Sequence, residues 1–507
     1  MNNKNRPSRF ARNAVANWIA FLFDALVGFF LSPFIVQHLG ATVYGVWSLL
    51  AGLVGYLGLL DLGIRQAVNR YIAHHRAADA HEESSSIVSA AIRLFGLLGI
   101  LAIFLSGVFA YFAPILFNIP ESLVNDTRII VVLGGLTVAV SLIGGVFGGV
   151  VSGLERFDIQ CGLESLLTTV RSVAIVLALR EGYGLVSLAC IQLAASILYC
   201  VLFRAAVHEL YPELRLRFRG SLFRQMRTIL SFSVPLTVLY VFVVLTSYSD
   251  AVVIAAFLPI QAVTFFAIAG NVSLQASGVT KSLANVMTPR VSALISMGSN
   301  RVGEEVLGVA RIATILATPI AATFLIRGES FITLWMGSEY GPVSGEVLRI
   351  LAIVIWLGAS RFVVVQSLTG MGRHRTLIPG FGVEAAGNLA LSIALVRPFG
   401  IVGVALGTLI PSVLVNLAFI PLCLSKATGV PVSLFYRSAV LLPTVACIPF
   451  AVMSVVIEGF FPATNLAVFF VQVIIILPLV PITAWFLCLT TTEKRQVESE
   501  VRKLVGR

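Results

Sequence analysis

The sequence contains 507 residues, of which 58% are hydrophobic and only 12% are charged. A soluble domain usually carries about 25% charged residues to keep its surface hydrated, so this composition excludes a soluble globular protein. The formal net charge of +11 fits basic residues that lie on one side of a membrane and attract anionic lipid. No nucleic-acid partner is therefore expected.

Apolar stretches long enough to cross a bilayer recur from the beginning of the chain to its end. A helix needs about 20 apolar residues to span the hydrocarbon layer. By this criterion the sequence predicts an all-α polytopic membrane protein with about fourteen transmembrane helices. The predicted spans are 14–37, 44–64, 87–113, 129–151, 162–179, 184–203, 228–257, 261–288, 303–326, 346–370, 376–396, 400–424, 434–457 and 464–489.

The distribution of basic residues predicts the orientation of these spans. Lys and Arg accumulate in cytoplasmic loops. If the N-terminus is cytoplasmic, the inner segments hold most of the 35 basic residues. The outer loops then hold only Arg128, Arg180, Arg327 and Arg397. An even number of spans with both termini in the cytoplasm follows.

Two short stretches indicate an internal repeat. "SGLERFD" (Ser152 to Asp158) and "TGMGRHR" (Thr369 to Arg375) share a small residue, Gly, an apolar residue and Arg at the same spacing. Each is followed by a span and then by similar turns, "GYGLVSLACIQL" from Gly182 and "PFGIVGVALGTL" from Pro398. We therefore predict that spans 1–6 and 7–12 are parallel six-helix lobes with a cavity between them.

The repeat sets the expected domain boundaries. The N-terminal lobe covers residues 1–205, and the C-terminal lobe covers 228–425. Residues 206–227 form a basic cytoplasmic linker, for which we expect an interfacial helix or a surface that attracts an anionic substrate. Residues 426–507 hold two extra spans and a cytoplasmic tail.

Charged residues inside or next to the spans are the candidates for function. A charge at mid-bilayer costs about 3 kcal/mol on insertion scales, so it faces a cavity or a partner. The basic candidates, which suit a phosphate group, are Arg65, Arg70, Arg171, Lys281 and Arg361. The acidic candidates, which suit a coupling proton or sodium ion, are Asp24, Asp250 and Glu384. The alternative for each is an ion pair that only locks helices together, as the four-residue spacing favours for Asp61 and Arg65.

Other motifs are negative or structural. "GGVFGGVVSG" (Gly144 to Gly153) lies in a span, and its Gly-x-x-x-Gly spacings predict close helix packing. No phosphate-binding G-x-x-x-x-G-K-[ST] motif is present, and the six cysteines lack Cys-x-x-Cys spacing. The sequence therefore predicts no cofactor, no metal site and no enzymatic activity. A membrane glycosyltransferase or polymerase would need paired carboxylates or a large outer loop, and the longest predicted outer loop, 327–345, is short.

Three longer stretches resemble a known family. "YGVWSLLAGLVGYLGLLDLGIRQAVNRYIA" (Tyr44 to Ala73) resembles the second-span signature of bacterial flippases for O-antigen and exopolysaccharide repeat units. "SYSDAVVIAAFLPIQAVTFFAIA" (Ser247 to Ala269) resembles their seventh to eighth spans, and "FITLWMGSEYGPVSGEVLRILA" (Phe331 to Ala352) resembles the entry to their tenth. The superfamily also holds multidrug-and-toxin extruders and lipid II flippases.

The resemblance implies an architecture and a cargo. It implies two lobes arranged in a V, with a cationic cavity lined by spans 1, 2, 7 and 8. The candidate residues on these lining spans are Asp24, Arg65, Arg70, Asp250 and Lys281. The implied cargo is an undecaprenyl-diphosphate-linked oligosaccharide, flipped in the bacterial inner membrane by alternating access. Membrane lipids, and the polymerase and chain-length regulator of the same pathway, are the implied partners. A lipid II flippase and a cation-coupled multidrug antiporter of the same fold remain alternatives, although the deep basic residues count against the antiporter.

Overall fold

A computed structural model describes residues 6–77, 79–117, 119–216, 222–299, 301–489 and 494–495. Within these ranges the chain is helical almost throughout, and no β-strand is present. Twelve helical segments in this part of the chain are long and apolar enough to cross a membrane. The predicted fold class, an all-α polytopic membrane protein, is confirmed.

Two of the twelve segments account for the difference from the predicted span count. Trp18–Asp61 contains 44 residues and His374–Thr428 contains 55, so each supplies two crossings at about 20 residues per crossing. The first bends at Gly40, where φ is 74°, and the second at Gly400, where φ is 59°. Glycine reaches this left-handed region without a steric penalty. Counted this way, the twelve segments are consistent with about fourteen crossings.

The chain divides into two compact units, Met1–Thr264 and Phe265–Arg507. The helices that begin in the first unit are α1 (Arg6–Leu57), α2 (Ile64–Ala77), α3 (His81–Leu116), α4 (Val124–Gly153), α5 (Phe157–Arg180), α6 (Leu185–Leu210), α7 (Leu222–Phe257) and α8 (Gln261–Asn285). The remaining helices are α9 (Met287–Ser296), α10 (Val302–Met336), α11 (Gly341–Gly370), α12 (Ile378–Leu414), α13 (Ile420–Thr428), α14 (Val432–Phe435), α15 (Leu442–Ala446), α16 (Ile448–Phe460), α17 (Leu466–Ile476) and α18 (Leu479–Leu487).

The predicted lobe boundaries at 205 and 228 stay a prediction. Of the predicted basic linker, residues 217–221 lie outside the described part of the chain. The same is true of tail residues 490–493 and 496–507.

Glycines on α4 allow its neighbours in the first unit to approach closely. A Cβ atom at Gly149 would lie 3.0 Å from the carbonyl oxygen of Arg65, and one at Gly153 would lie 2.8 Å from that of Asn69, both on α2. On another face of α4, a Cβ at Gly144 would lie 3.0 Å from the Tyr199 ring of α6. The predicted close packing at the glycine-rich stretch is confirmed, and it places α2 and α6 against α4.

In the second unit, two arginines of α10 hold the helices of the last two predicted spans. Arg311 donates from Nη1 to the carbonyl oxygen of Cys488, at the end of α18, at 2.6 Å. Arg327 donates from Nε to Glu458 of α16 and from Nη2 to Gln472 of α17, both at 2.6 Å. These contacts fix α16, α17 and α18 to α10.

The position of Arg327 corrects one expectation. This residue was expected in an outer loop, but the helix kinks at Arg327 itself, where φ is −117° and ψ is 17°, and then continues to Met336, and the Arg327 side chain is fully buried. A buried guanidinium needs a counter-charge and hydrogen-bond acceptors. Glu458 and Gln472 supply both for Nε and Nη2, whereas Nη1 is buried without a hydrogen-bond partner among the described residues. Arg327 is therefore buried at a kink within α10 rather than exposed in a loop.

Candidate functional site

A charged cluster in the second unit brings three of the predicted site residues together. Arg361 of α11 donates from Nη1 to Oε1 of Glu384, on α12, at 2.6 Å, and the two side chains are only 15% and 6% exposed. The turn between α11 and α12 is short, so the two helices lie side by side. Arg361 and Glu384 stand at similar distances from that turn and therefore meet. The pairing satisfies two charges that would be costly if buried alone.

Aromatic rings lie under both cations of this cluster. Cζ of Arg361 lies 4.4 Å from the centroid of the Phe381 ring, one turn before Glu384 on α12. Nζ of Lys281, on α8, lies 5.1 Å from the centroid of the Phe362 ring. Cations are attracted to the negative faces of aromatic rings. The cluster, which we call the basic cluster, thus consists of Lys281, Arg361 and Glu384 with Phe362 and Phe381.

Lys281 is the member of the basic cluster without a counter-charge. Among the residues that the structure describes, no carboxylate forms an ion pair with it, and the charged side chain that acts on it is Arg361, another cation. The Lys281 side chain is exposed although it belongs to a membrane-spanning helix. An exposed ammonium group at membrane depth requires water or an anion beside it. The arrangement is chemically suited to bind an anion.

A second cluster, in the first unit, contains more acids than bases. Arg65 pairs with Asp61 at 3.6 Å, as the four-residue spacing predicts, and half of its side chain is exposed. The guanidinium lies over Gly145 of α4, where a Cβ atom would be 2.5 Å from Nη2. Glu164 of α5 has Asp24 and Arg65 as electrostatic neighbours. We call Asp24, Asp61, Arg65 and Glu164 the acidic cluster.

Glu164 was not among the candidates predicted from the sequence. Its Oε1 accepts a hydrogen bond from Nε2 of Gln160 at 3.2 Å, and Gln160 accepts one from Ser152 at 2.6 Å. A neutral amide, rather than a cation, is therefore its hydrogen-bonding partner. Glu164 falls inside the predicted fifth span, and a carboxylate in a span was the signal that could have identified it.

The other predicted site residues lie at separate places. Arg171 of α5 donates from Nη1 to Oε1 of Gln192, on α6, at 3.4 Å. Asp250 is buried on α7 and is an electrostatic neighbour of Tyr56. Arg70 is exposed on α2. The roles predicted for these three residues stay predictions.

The arginines of the repeated motif occupy similar environments in the two units. Arg156 pairs with Asp158 at 3.0 Å, and this hydrogen bond raises the pKa of the guanidinium. The charge of Glu209, in the last turn of α6, also acts on Arg156. Arg373 donates to the carbonyl oxygens of Lys426 and Ala427, in the last turn of α13, at 3.4 and 3.2 Å. Both arginines therefore lie near the negative end of a helix.

Comparison with known proteins gives consistent results. A family model described as "Polysaccharide biosynthesis protein" matches residues 10–295, more than half of the chain. The chain is 22% identical over 444 residues to the uncharacterized membrane protein EpsK of Bacillus subtilis (strain 168), covering 85% of this chain and 86% of that protein. It is 21% identical over 404 residues to a Shigella flexneri protein provisionally named an O-antigen transporter, covering 78% of this chain and 93% of that one.

A solved structure shares the fold. The lipid II flippase MurJ, in its inward closed conformation, superposes with a TM-score of 0.75 over 94% of this chain and 98% of its own. The sequence identity in this superposition is 13%, so the likeness concerns the fold.

Proposed function

The chain belongs to the polysaccharide biosynthesis family of membrane flippases, and from this premise we propose the cargo and the direction of transport. The cargo is an undecaprenyl-diphosphate-linked oligosaccharide repeat unit. It is moved from the cytoplasmic to the periplasmic leaflet of the bacterial inner membrane, with both termini of the chain in the cytoplasm. No chemical bond is made or broken in the proposed cycle.

The observation that supports this cargo is the basic cluster. Lys281 is exposed in a membrane-spanning helix without a carboxylate partner, and Arg361 is its charged neighbour. A diphosphate carries negative charge that hydrocarbon cannot solvate. An ammonium point charge and a guanidinium fork both bind phosphate through charge-assisted hydrogen bonds. A drug antiporter that carries cations would instead need an excess of acids at this position.

The proposed cycle follows from these charges. The diphosphate and its sugars bind at the basic cluster, while the undecaprenyl chain stays in lipid. The site opens to one leaflet at a time, so the headgroup never crosses bare hydrocarbon. The product, a repeat unit on the periplasmic leaflet, is then available to the polymerase and the chain-length regulator that we propose as pathway partners.

A gene deletion tests the function. We expect viable cells in which lipid-linked repeat units accumulate on the cytoplasmic leaflet, and wild-type protein should restore export. Lys281→Ala should fail to restore export at unchanged protein abundance, whereas Lys426→Ala, which alters an exposed lysine of the same unit, should restore it.

The phenotype of the deletion strain distinguishes the proposed function from the other two transport functions considered for this fold. Loss of viability on deletion would indicate transport of a peptidoglycan precursor instead. Drug sensitivity with normal glycan export would indicate a multidrug antiporter. If Lys281→Ala lowers protein abundance as much as export, the residue has a structural role.

A further inference from the structure

The pair between Arg361 and Glu384 uses only part of the guanidinium. In the described ranges, Nη1 is the one nitrogen of Arg361 that is hydrogen-bonded, and its partner is a single carboxylate oxygen. Nε and Nη2 donate to no acceptor among the described residues, and each keeps some solvent-exposed surface. The contact is end-on, and it leaves the N–H groups needed for a two-point contact with a phosphate open.

The second oxygen of Glu384 shows the same incomplete pairing. Only Oε1 accepts a hydrogen bond from the described residues. Oε2 accepts none, and it keeps some solvent-exposed surface. A buried pair that serves only to join helices is strongest when both groups are fully bonded. This pair has unused hydrogen-bonding groups on both sides, so an anion can contact the free N–H groups of Arg361 before the bond to Glu384 breaks. Displacement then leaves Glu384, which is 6% exposed, without its cation, and the greater charge of a diphosphate must exceed this cost.

The surroundings favour an anion as the new partner. Lys281 adds a second positive charge whose ammonium group has no carboxylate of its own among the described residues. The Phe381 ring under Arg361 holds the guanidinium plane in position while its hydrogen-bond partner changes. A diphosphate carries more negative charge than one carboxylate and can bridge the guanidinium and the ammonium, which Glu384 alone does not do.

We propose that Glu384 is a built-in competitor for Arg361: the cargo's diphosphate displaces this carboxylate on binding, and the carboxylate reclaims the guanidinium on release. This inference rests on the proposed function, because it assigns Glu384 a role in the same site. Glu384 is then a positioning residue that limits how long the headgroup stays bound. A site made of Lys281 and Arg361 alone would hold a diphosphate too tightly for rapid turnover.

Binding of inorganic pyrophosphate to the purified full-length protein tests the competition. We expect Glu384→Gln to bind pyrophosphate about tenfold more tightly than wild type in calorimetric titrations, because the neutral amide no longer competes for Arg361. Glu384→Asp, which keeps the carboxylate, should bind within about twofold of wild type. The same Glu384→Gln variant should export less glycan in cells, since release is slowed.

A matched control is available on the same helix. Arg349 of α11 pairs with Glu329 at 3.1 Å, but these side chains are 42% and 45% exposed. Glu329→Gln removes a carboxylate from an arginine of α11 in the same way, and it should leave pyrophosphate affinity unchanged. An equal gain in Glu329→Gln would mean that any lost negative charge strengthens binding, and this result would overturn the proposal.

Two further results would also overturn the proposal. One is unchanged or weaker pyrophosphate binding by Glu384→Gln with lowered thermal stability, the signature of a helix-joining pair. The other is tighter pyrophosphate binding than wild type in the double variant Arg361→Gln with Glu384→Gln. This variant leaves neither member of the pair as an unpaired charge, so we expect it to fold even if Glu384→Gln alone does not. We expect this double variant to bind no more tightly than wild type.

The pyrophosphate titration and the gene deletion can fail separately. Competition in the titration with normal glycan export after deletion would refute the cargo but retain the anion site. Loss of export without any pyrophosphate binding by wild type would refute the competition but retain the transport function.

Discussion

Two arginines of the second unit pair with glutamates across helices, but they differ in how many partners hold them. Arg327 is 0% exposed and is bound by Glu458, by Gln472 and by the ring of Phe469, whose centroid lies 4.5 Å from Cζ. Arg361 has a single hydrogen-bonded contact, to Glu384, among the described residues. The same pair of residue types therefore belongs to a network of several partners at one place and forms a single hydrogen bond at the other.

The partners of Glu458 strengthen this difference. Glu458 also accepts a hydrogen bond from Ser330, one turn after Arg327 on α10. Gln472 donates in turn to the carbonyl oxygen of Phe461 at 2.8 Å. The network connects α10 with α16 and α17 and holds the last spans in place, a role in which exchange of partners would be harmful.

Arg327→Ala should have the largest effect, and it should be an effect on stability. The substitution leaves Glu458 without its cation, and breaking a buried pair costs about 3–5 kcal/mol. We expect a large loss of folded protein in fluorescence-detected size-exclusion chromatography and a lower unfolding temperature. Recovery of both in the double variant Arg327→Met with Glu458→Met would identify the unpaired charge as the cause, because well-packed apolar residues can replace a buried pair.

An Arg327→Ala protein as stable as wild type would remove the distinction between the two arginines. Arg349→Ala is the appropriate reference, because this arginine of the same unit belongs to an exposed pair. Exposed pairs contribute about 0–1 kcal/mol, so only a small change in unfolding temperature is expected there.

Arg361→Lys should have the next largest effect, and it should be an effect on binding. Lysine can keep one contact with Glu384, so the unfolding temperature should stay close to that of wild type. It cannot present two parallel N–H groups to a phosphate, so pyrophosphate affinity and glycan export should fall about tenfold, the equivalent of about 1.4 kcal/mol. Arg327→Lys should behave in the opposite way, with lost stability, because one ammonium cannot serve Glu458, Gln472 and Phe469 together.

The two arginines also show what the sequence could predict. The spans were predictable because apolar length is a local property of about 20 residues. Arg361 lies in the middle of such a stretch and was identified as a candidate. Arg327 lies at the end of one, and its partner Glu458 is 131 residues away, so local hydropathy assigned it to a loop.

The candidate site was predictable only in its parts. Lys281, Arg361 and Glu384 were all selected because each is a charge in an apolar span. A separate role in ion coupling was predicted for Glu384, because a pairing between two helices is not visible in either stretch alone. Breaks between spans were predicted at 37–44 and 396–400, where the bends at Gly40 and Gly400 lie, but the sequence did not show that a glycine in the left-handed region forms each bend.

The acidic cluster of the first unit gives a further test, because its excess charge has the opposite sign to that of the basic cluster. Glu164 is bonded to a neutral amide and has Asp24 as a like-charged neighbour, an arrangement suited to a coupling cation. We expect Asp24→Asn and Glu164→Gln each to lower glycan export several-fold at unchanged abundance. Neither should change pyrophosphate affinity, in contrast to Glu384→Gln.

The measurement that checks this expectation is export in cells whose proton or sodium gradient is collapsed with an ionophore. Wild-type export should fall, and the remaining export of the two variants should respond less. Full gradient dependence in both variants would show that the acidic cluster is not the coupling site. Asp158→Asn is the control, because this aspartate of the first unit pairs with Arg156 outside the acidic cluster.

The smallest effect is expected for the arginines of the repeated motif, which lie near helix ends in both units. Arg373→Ala removes a cation from the last carbonyls of α13, a contact of about 0.3–1 kcal/mol at an exposed position. Arg156→Ala removes an exposed pair with Asp158 and a neighbour of Glu209. Each should lower the unfolding temperature slightly and leave pyrophosphate affinity unchanged. A large loss of export from either variant at normal stability would mean that the motif takes part in transport. The motif arginines would then be neither structural, like Arg327, nor ligand-binding, as proposed for Arg361.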